Sequence, residues 1–230
     1  MFKRLSFLIY ILFISQTLAV ESLYVFVPTQ VRANILQEKI GGYCDDVDVT
    51  VFSRAKDFHK KVKSEPPSAI LSLLPVVERT ISFDMAIEGI KGGLTTENYV
   101  LVSIANPLKR SDLVNKKIGV VDLLGRKSMG KFIEQLFKTP VKLKRVTKVE
   151  DLLPLITFGS VDAIFIANSL FEKLKSTSNL DLVATHLNIK IGLASAALKG
   201  VVAKDKLTRC VFAFDQNLNI TLGVDKWHTL

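Results

Sequence analysis

The chain has few of the side chains on which thiol, metal and imidazole chemistry depends. Its 230 residues include two cysteines, three histidines and one tryptophan. The sequence contains no His-x-x-x-His pattern and no cysteine pair at metal-binding spacing, which argues against a zinc site. No cysteine or histidine lies in a recognisable nucleophile motif. We therefore expect neither a metal nor another cofactor.

Long hydrophobic runs are also missing, apart from one near the N-terminus. Residues 5–14 are apolar except for Ser6; they follow the basic pair Lys3-Arg4 and precede Thr17-Leu18-Ala19, a small-x-small pattern typical of signal-peptidase cleavage. At about 1.5 Å per residue, this run covers only about half of a ~30 Å hydrocarbon core. No cysteine follows the run, so the lipobox of acylated exported proteins is absent. The sequence predicts a signal peptide over residues 1–19, cleavage after Ala19 and a soluble periplasmic protein.

The excess of positive charge is moderate and dispersed. The whole chain has 31 lysines and arginines against 22 acidic residues, a balance of +9, which becomes +7 without Lys3 and Arg4. No basic stripe with interleaved aromatic residues occurs, so we do not expect a nucleic-acid partner. A positive balance attracts anionic solutes. Hydrophobic residues make up 48% of the chain and charged residues 23%, the proportions of a globular protein with a full core.

The two cysteines, Cys44 and Cys210, allow two interpretations. In an oxidising compartment they can form a disulfide, and closing so long a loop would constrain the unfolded chain by about 3 to 5 kcal/mol. The alternative is a pair of buried free thiols. Sequence does not establish whether the two Cα atoms come within the ~7 Å that a disulfide requires, so both interpretations remain open.

Strand-type and helix-type patterns alternate along the chain in two rounds. The first round predicts strands at 23–28, 47–52 and 68–74 and helices at 31–40 and 55–63; the second predicts strands at 118–121, 141–146 and 161–167 and helices at 128–137, 148–158 and 169–175. Further strands are predicted at 99–105, 180–184 and 189–194, and a terminal helix at 204–218. Such alternation predicts parallel sheets flanked by helices. We expect an α/β protein with lobe one formed by residues 20–98 and 190–230, lobe two by residues 99–189, and a cleft between them.

The segment Lys116–Gly130, KKIGVVDLLGRKSMG, combines a predicted strand, a short loop and the start of a helix near Ser128. The unpaired N–H groups and the positive dipole end of a helix N-terminus favour a bound anion. The structural alternative is that Ser128 only caps its helix. The segment is thus a candidate anion site whose meaning depends on its surroundings.

Four features together resemble the phosphonate/phosphate-type periplasmic solute-binding proteins of ABC transporters, which share the type 2 periplasmic-binding fold. They are the signal peptide, the SAILSLLP strand, the KKIGVVD strand with its downstream Ser-x-Gly, and the FGSVDA element at residues 158–163. The resemblance covers nearly the whole mature chain and implies two lobes, each with a mostly parallel sheet flanked by helices. It also implies a small anionic solute bound between the lobes, an ABC permease as partner, no enzymatic activity and a structural role for Asp162. The anion loop keeps one hydroxyl, Ser128, where the family has three.

The candidate ligand-binding residues lie where predicted strands end, because open α/β sheets bind ligands at the carboxyl ends of their strands. Arg54 and Arg126 present a planar fork to a carboxylate or phosphate. The Thr29 and Ser128 hydroxyls donate or accept hydrogen bonds, and Asp122 accepts a ligand ammonium. The full set is Thr29, Gln30, Ser53 and Arg54 from lobe one, and Asp122, Arg126 and Ser128 from lobe two.

Two other functions remain open on the sequence. A periplasmic sensory or partner-binding module, acting with a membrane sensor, uses the same fold and fits the reduced anion loop and the missing lipobox. A cleft enzyme such as a dehydratase also uses the fold, with Asp122 as a general base. The predicted signal peptide argues against the cytosolic members of that enzyme class.

Overall fold

The structure is a computed structural model that describes residues 21–80, 82–200 and 204–230. The predicted signal peptide and its cleavage site lie outside these residues. Within the described ranges, no helix is both long enough and apolar enough to cross a membrane.

The described residues form eleven strands and eight α-helices. The strands are β1 (Glu21–Phe26), β2 (Val47–Val51), β3 (Ala69–Leu73), β4 (Asp84–Ile90), β5 (Thr96–Ile104), β6 (Lys117–Val121), β7 (Lys142–Val146), β8 (Ala163–Ala167), β9 (Leu182–Gly192), β10 (Ala194–Leu198) and β11 (Lys226–Thr229). The helices are α1 (Ala33–Gly41), α2 (Ala55–Ser64), α3 (Leu74–Val77), α4 (Arg126–Phe137), α5 (Leu152–Thr157), α6 (Asn168–Thr177), α7 (Lys204–Phe212) and α8 (Gln216–Leu222).

The strands build two mixed sheets, which define two lobes. Lobe one contains the six-stranded sheet β11-β4-β10-β3-β1-β2, and lobe two contains the five-stranded sheet β7-β6-β8-β5-β9. In lobe one, β1 runs parallel to β2 and β3, whereas β10 is antiparallel to β3 and β4. In lobe two, β6 runs parallel to β7 and β8, whereas β5 is antiparallel to β8 and β9. The predicted two-lobed α/β architecture is confirmed.

The sheets are mixed rather than mostly parallel because of where the chain crosses between lobes. It leaves lobe one after β4 and returns at the junction of β9 and β10. A strand that enters a lobe from the cleft must run away from the cleft, whereas β3 and β8 run toward it. The crossing strands β5 and β10 are therefore antiparallel to β8 and β3. Parallel pairing is confined to strands joined by a helix, as parallel connections require.

Strand alternation distributes the buried side chains into three apolar clusters. Leu23 and Val25 of β1 face one cluster, which also contains residues of α1, α7 and α8. Tyr24 and Phe26 face the opposite way, into a second cluster that also contains Phe165 of β8 in lobe two. A third cluster lies between the lobe-two sheet and helices α5 and α6. Because the second cluster contains residues of both sheets, the apolar interior continues from one lobe into the other.

Strand β9 is one strand where the sequence predicts two. Its pairing with β5 shifts between Tyr99–Ile189 and Val100–His186. This shift leaves a bulge in which Asn188 adopts a left-handed conformation, with φ of 54°. A bulge interrupts the period-2 alternation on which strand prediction depends, so the two halves of β9 read as separate strands.

The C-terminal segment also differs from its prediction, which is a single helix over residues 204–218. Asp215 caps a new helix there, since its carboxylate accepts the Leu218 N–H at 2.7 Å. Gly223, with φ of 80°, ends that helix. Strand β11, which is absent from the prediction, then places Trp227 in the core of lobe one, where its indole N–H donates to Asn219 Oδ1 at 2.7 Å.

A disulfide joins Cys44, just after α1, to Cys210 in α7, with the Cα atoms 4.7 Å apart. Both cysteines are buried in the first apolar cluster. The bond fastens two helices on the same face of the lobe-one sheet.

We expect Gly89→Ala to destabilise the folded protein, because β4 is closely packed at this position. A Cβ at Gly89 would lie 2.3 Å from Val224 Cγ1 and 2.5 Å from the Ala194 carbonyl oxygen. Rotation of side chains cannot relieve the overlap with the backbone. We expect the free energy of unfolding to fall by about 1 to 3 kcal/mol in urea denaturation.

The matched control for that change is Gly41→Ala at the end of α1, where an added Cβ meets no atom within 4 Å. We expect this variant to differ from the wild type by less than about 0.5 kcal/mol. Equal stability of the two variants would show that β4 does not pack as described.

Candidate functional site

A cavity of about 410 Å³ lies between the two lobes. Lobe one contributes the chain that follows β1, residues 27–31, and Leu73 at the end of β3. Lobe two contributes the ends of β6 and β8 and one face of α4. The crossing strands close one side with Tyr99 and Ile191. This position follows the rule that open α/β sheets bind ligands at the carboxyl ends of their strands, and the volume suits a small molecule.

The walls of the cavity are mainly apolar. Helix α4 turns a face with i, i+4 spacing toward the cavity, and β8 adds an aromatic ring and the small side chain of Ala167. The principal apolar side chains are Leu73, Val120, Met129, Phe132, Ile133 and Phe165. Such walls favour a ligand with an apolar body.

The charged side chains that line the cavity are Glu97 and Lys173. Glu97 Oε1 accepts hydrogen bonds from Lys91 Nζ at 3.0 Å and from the Ser169 N–H at 3.2 Å. Ser169 belongs to the first turn of α6, where the helix dipole also stabilises a carboxylate. The negative charge of Glu97 is thus balanced by groups of the protein itself.

Lys173 has a different environment at the rim of the cavity. Its Nζ donates to Gln30 Oε1 at 2.6 Å, a hydrogen bond that connects lobe two to lobe one. Gln30 is a neutral amide, so this bond does not balance the charge of the ammonium group. Among the described residues, no carboxylate lies within ion-pair distance of Lys173 Nζ, so the positive charge at the rim has no opposite charge beside it.

Tyr99 supplies a further polar group to the wall. Burial, with a smaller contribution from the negative charge of Glu97, raises the pKa of the Tyr99 hydroxyl well above its usual value. The phenol is therefore neutral across the physiological range and can donate a hydrogen bond.

Two more contacts hold the lobes together beside the cavity. His59 on α2 places Nε2 3.4 Å from the Leu123 carbonyl oxygen of lobe two. Burial lowers the pKa of His59, which favours the neutral ring. The Arg79 guanidinium lies 5.6 Å from the centroid of the Phe132 ring, an attractive cation–π geometry between lobes. The structure is thus a closed arrangement of the two lobes.

Of the predicted residues in lobe one, Thr29 and Gln30 line the cavity. The Thr29 hydroxyl accepts the Val31 N–H at 3.1 Å, which shapes the turn after β1. Ser53 lines a smaller adjoining cavity of about 240 Å³. Arg54 lines neither cavity and forms an ion pair with Asp57 at the start of α2.

The predicted residues in lobe two, Asp122, Arg126 and Ser128, do not line the cavity. Asp122 faces Arg145, with 3.7 Å between the carboxylate and Nε. Helix α4 begins at Arg126, two residues before the predicted start, and its N-cap residue is Gly125 rather than Ser128. The face of α4 that reaches the cavity is apolar and includes Met129, so the polar side chains of the predicted anion segment lie outside the lining.

Asp162 has a structural position, at the start of the segment leading into β8. Its carboxylate accepts the Lys117 N–H at 2.7 Å and Lys116 Nζ at 3.1 Å, which fixes the start of β6 against β8. The backbone hydrogen bond from Lys117 is the main cause that lowers the pKa of this carboxyl group. Among the described residues, no group of three or more His, Cys, Asp or Glu side chains is placed to hold a metal ion.

The predicted set omits Glu97, Tyr99 and Lys173, which line the cavity. A usable signal existed for Lys173, because the rule that located Thr29 and Gln30 after β1 applies equally to the helix after β8. Tyr99 begins the predicted strand 99–105 and Glu97 lies two residues before it, at the predicted boundary between the lobes. The sequence contains no signal that Lys173 meets Gln30, 143 residues away.

No protein-family model matches the sequence, and no curated protein sequence matches it. Solved structures do resemble it. An amino acid ABC transporter substrate-binding protein from Streptococcus pneumoniae bound to L-arginine has a TM-score of 0.58 and 17% identity, covering 88% of this chain and 91% of that one. The GluR0 ligand-binding core from Nostoc punctiforme with L-glutamate has a TM-score of 0.58 and 12% identity, covering 88% and 95%. An arginine-bound mutant of ArgBP from T. maritima has a TM-score of 0.57 and 15% identity, covering 84% and 94%.

These likenesses establish the fold, the two-lobed periplasmic-binding architecture, over most of the chain. The three proteins are bound to arginine or glutamate. The phosphonate or phosphate specificity that the sequence resemblance implies is therefore not supported.

Proposed function

We propose that this protein is an exported solute-binding protein that captures a small solute between its lobes. The observation that carries the proposal is the 410 Å³ cavity, whose walls come from the strand ends of both lobes. The fold supports the same role, since the similar structures include an amino acid ABC transporter substrate-binding protein. We place the division between the lobes at the crossing segments, between β4 and β5 and between β9 and β10, a few residues from the predicted boundaries at 98/99 and 189/190. We assign the protein to the periplasm.

Capture requires no covalent step. In the proposed cycle the lobes move about the crossing segments between β4 and β5 and between β9 and β10, and they close over the solute. The Gln30–Lys173 hydrogen bond and the contacts of His59 and Arg79 form as the lobes meet. A closed, loaded form is then the species that an ABC permease recognises. No specific observation favours a sensory module or a cleft enzyme.

The solute is expected to be an organic molecule of amino-acid size. The similar structures are bound to arginine or glutamate, and the volume of the cavity is compatible with such molecules. Inorganic phosphate is a poor fit, because burying a strongly hydrated anion among apolar side chains costs several kcal/mol per unpaired charge.

A thermal-shift screen of the purified protein tests the proposal. The panel contains the twenty amino acids, small aliphatic and aromatic carboxylates, phosphate and methylphosphonate. We expect at least one organic solute to raise the melting temperature, since occupancy at a hundred times the dissociation constant adds about 2.7 kcal/mol to the stability. Phosphate and methylphosphonate should give no shift.

Calorimetric titration with the best solute is the confirming measurement, and we expect a stoichiometry of one solute per chain. A panel in which no solute shifts the melting temperature would count against solute capture. A shift with phosphate alone would restore the anion-loop hypothesis.

A further inference from the structure

We propose that the cavity selects a monocarboxylate with an apolar body, and that Lys173 binds the carboxylate at the rim. This inference rests on the proposed function and specifies the chemistry of the solute. It combines two observations, namely the apolar walls and the position of the one charge that the protein leaves uncompensated among the lining side chains of the described residues.

The walls determine the body of the solute. Phe132 and Phe165 are aromatic, and Leu73, Met129 and Ile133 are aliphatic, so most of the enclosed surface offers no hydrogen-bond partner. A polar chain placed there would lose its hydration without compensation. A phenyl group or an alkyl chain would instead gain from leaving water.

The charges determine the head group. Glu97 is held by Lys91 and by the N-terminal turn of α6, so the negative charge in the wall already has its partners. A cationic solute would have to compete with Lys91 for Glu97. Within the part of the chain that the structure describes, the hydrogen-bonding partner of Lys173 is the neutral amide of Gln30, so an incoming carboxylate would supply the opposite charge.

Gln30 completes the head-group site. Its carbonyl oxygen accepts from Lys173, and its NH₂ group is a neutral donor at the same position on the rim. A carboxylate at this point would be able to accept from Lys173 and from Gln30, one group from each lobe. Binding of the head group would thereby fasten the two lobes in the closed arrangement.

Three probes of nearly equal size and different charge test the head-group assignment: 3-phenylpropanoate, 3-phenylpropanamide and 3-phenylpropylamine. Isothermal titration is expected to give the tightest binding for the carboxylate, by at least about fivefold over the amide, with the amine weakest. Lactate, a carboxylate without an apolar body, is expected to bind more weakly than 3-phenylpropanoate.

Lys173→Gln removes the charge and keeps much of the length of the side chain. We expect it to weaken 3-phenylpropanoate about 5- to 10-fold, because the ammonium is partly exposed to solvent, and to leave the amide unchanged. Lys175→Gln is the matched control. Lys175 lies two residues further along α6, outside the cavity lining, with Nζ 5.7 Å from the Phe171 ring centroid. The Lys175→Gln variant should bind all three probes like the wild type.

The outcomes separate this inference from the proposed function. Equal or tighter binding of the amide or the amine overturns the carboxylate assignment, as does unchanged binding in Lys173→Gln. If 3-phenylpropanoate fails to bind while arginine or glutamate binds, the inference is wrong and solute capture stands. If neither these probes nor any member of the screening panel binds, both are wrong.

Discussion

Removing the Cys44–Cys210 disulfide is expected to lower the free energy of unfolding by about 3 to 5 kcal/mol. The bond joins residues separated by 166 positions, so it excludes a very large number of conformations from the unfolded chain. A loss of this size is a substantial part of the 5 to 15 kcal/mol that stabilises a typical domain. The variant to measure is Cys44→Ala/Cys210→Ala, in urea denaturation followed by circular dichroism.

Reduction supplies the control for that experiment. Dithiothreitol should destabilise the wild type by a similar amount and leave the double variant unaffected, because the variant has no bond to reduce. Both cysteines are 3% exposed, so the alanine substitutions also remove a little packing. That packing loss is the difference between the double variant and the reduced wild type. A wild type whose unfolding is insensitive to dithiothreitol at its midpoint would contradict the bond.

The parts of the fold that sequence could predict are those governed by local periodicity. The helices α1, α2, α4 and α6 and the strands β1, β2, β3 and β8 follow from apolar spacing and their flanking turn residues. Strands β4 and β11 do not, because β4 pairs with β10 and with β11, and Gly89 permits the close approach of Val224 and Ala194. The bulge in β9 hides its continuity for the same reason, since the register comes from the partner strand.

The candidate site was predictable only in part, and the reason is geometric. The rule of strand carboxyl ends names Thr29 and Gln30, and both residues line the cavity. The same rule names Asp122, Arg126 and Ser128, which lie outside the lining. The Asp122 carboxylate faces Arg145, and α4 presents its apolar face to the cavity. The contacts between lobes depend on how two separately folded sheets meet, which no local pattern encodes. Cys44 and Cys210 illustrate the same limit. A disulfide and a pair of buried free thiols differ in the distance between the two Cα atoms in the folded protein, which the sequence does not contain.

Filling the cavity is expected to abolish solute binding without loss of stability. Ala167 is the last residue of β8 and lies on the same strand face as Phe165, so a larger side chain at this position extends into the cavity. We expect Ala167→Phe to weaken binding of the best solute at least about 100-fold, because the ring occupies the volume that the body of the solute requires. Without solute, the variant should be as stable as the wild type or more stable by up to about 2 kcal/mol, as is common when an apolar cavity is filled.

Two further variants at position 167 serve as controls for this result. Ala167→Ser adds a single heavy atom at the same position and should keep binding within a few-fold of the wild type. Ala167→Leu adds less volume than phenylalanine and provides a second filled variant if the aromatic ring disturbs the start of α6. Thermal melts with and without solute give both quantities, since the melt without solute reports the stability and the difference between the two reports occupancy. A filled variant that melts like the wild type and still gives the full solute-induced shift would place the binding site elsewhere, whereas loss of the shift together with retained stability ties binding to the cavity between the lobes.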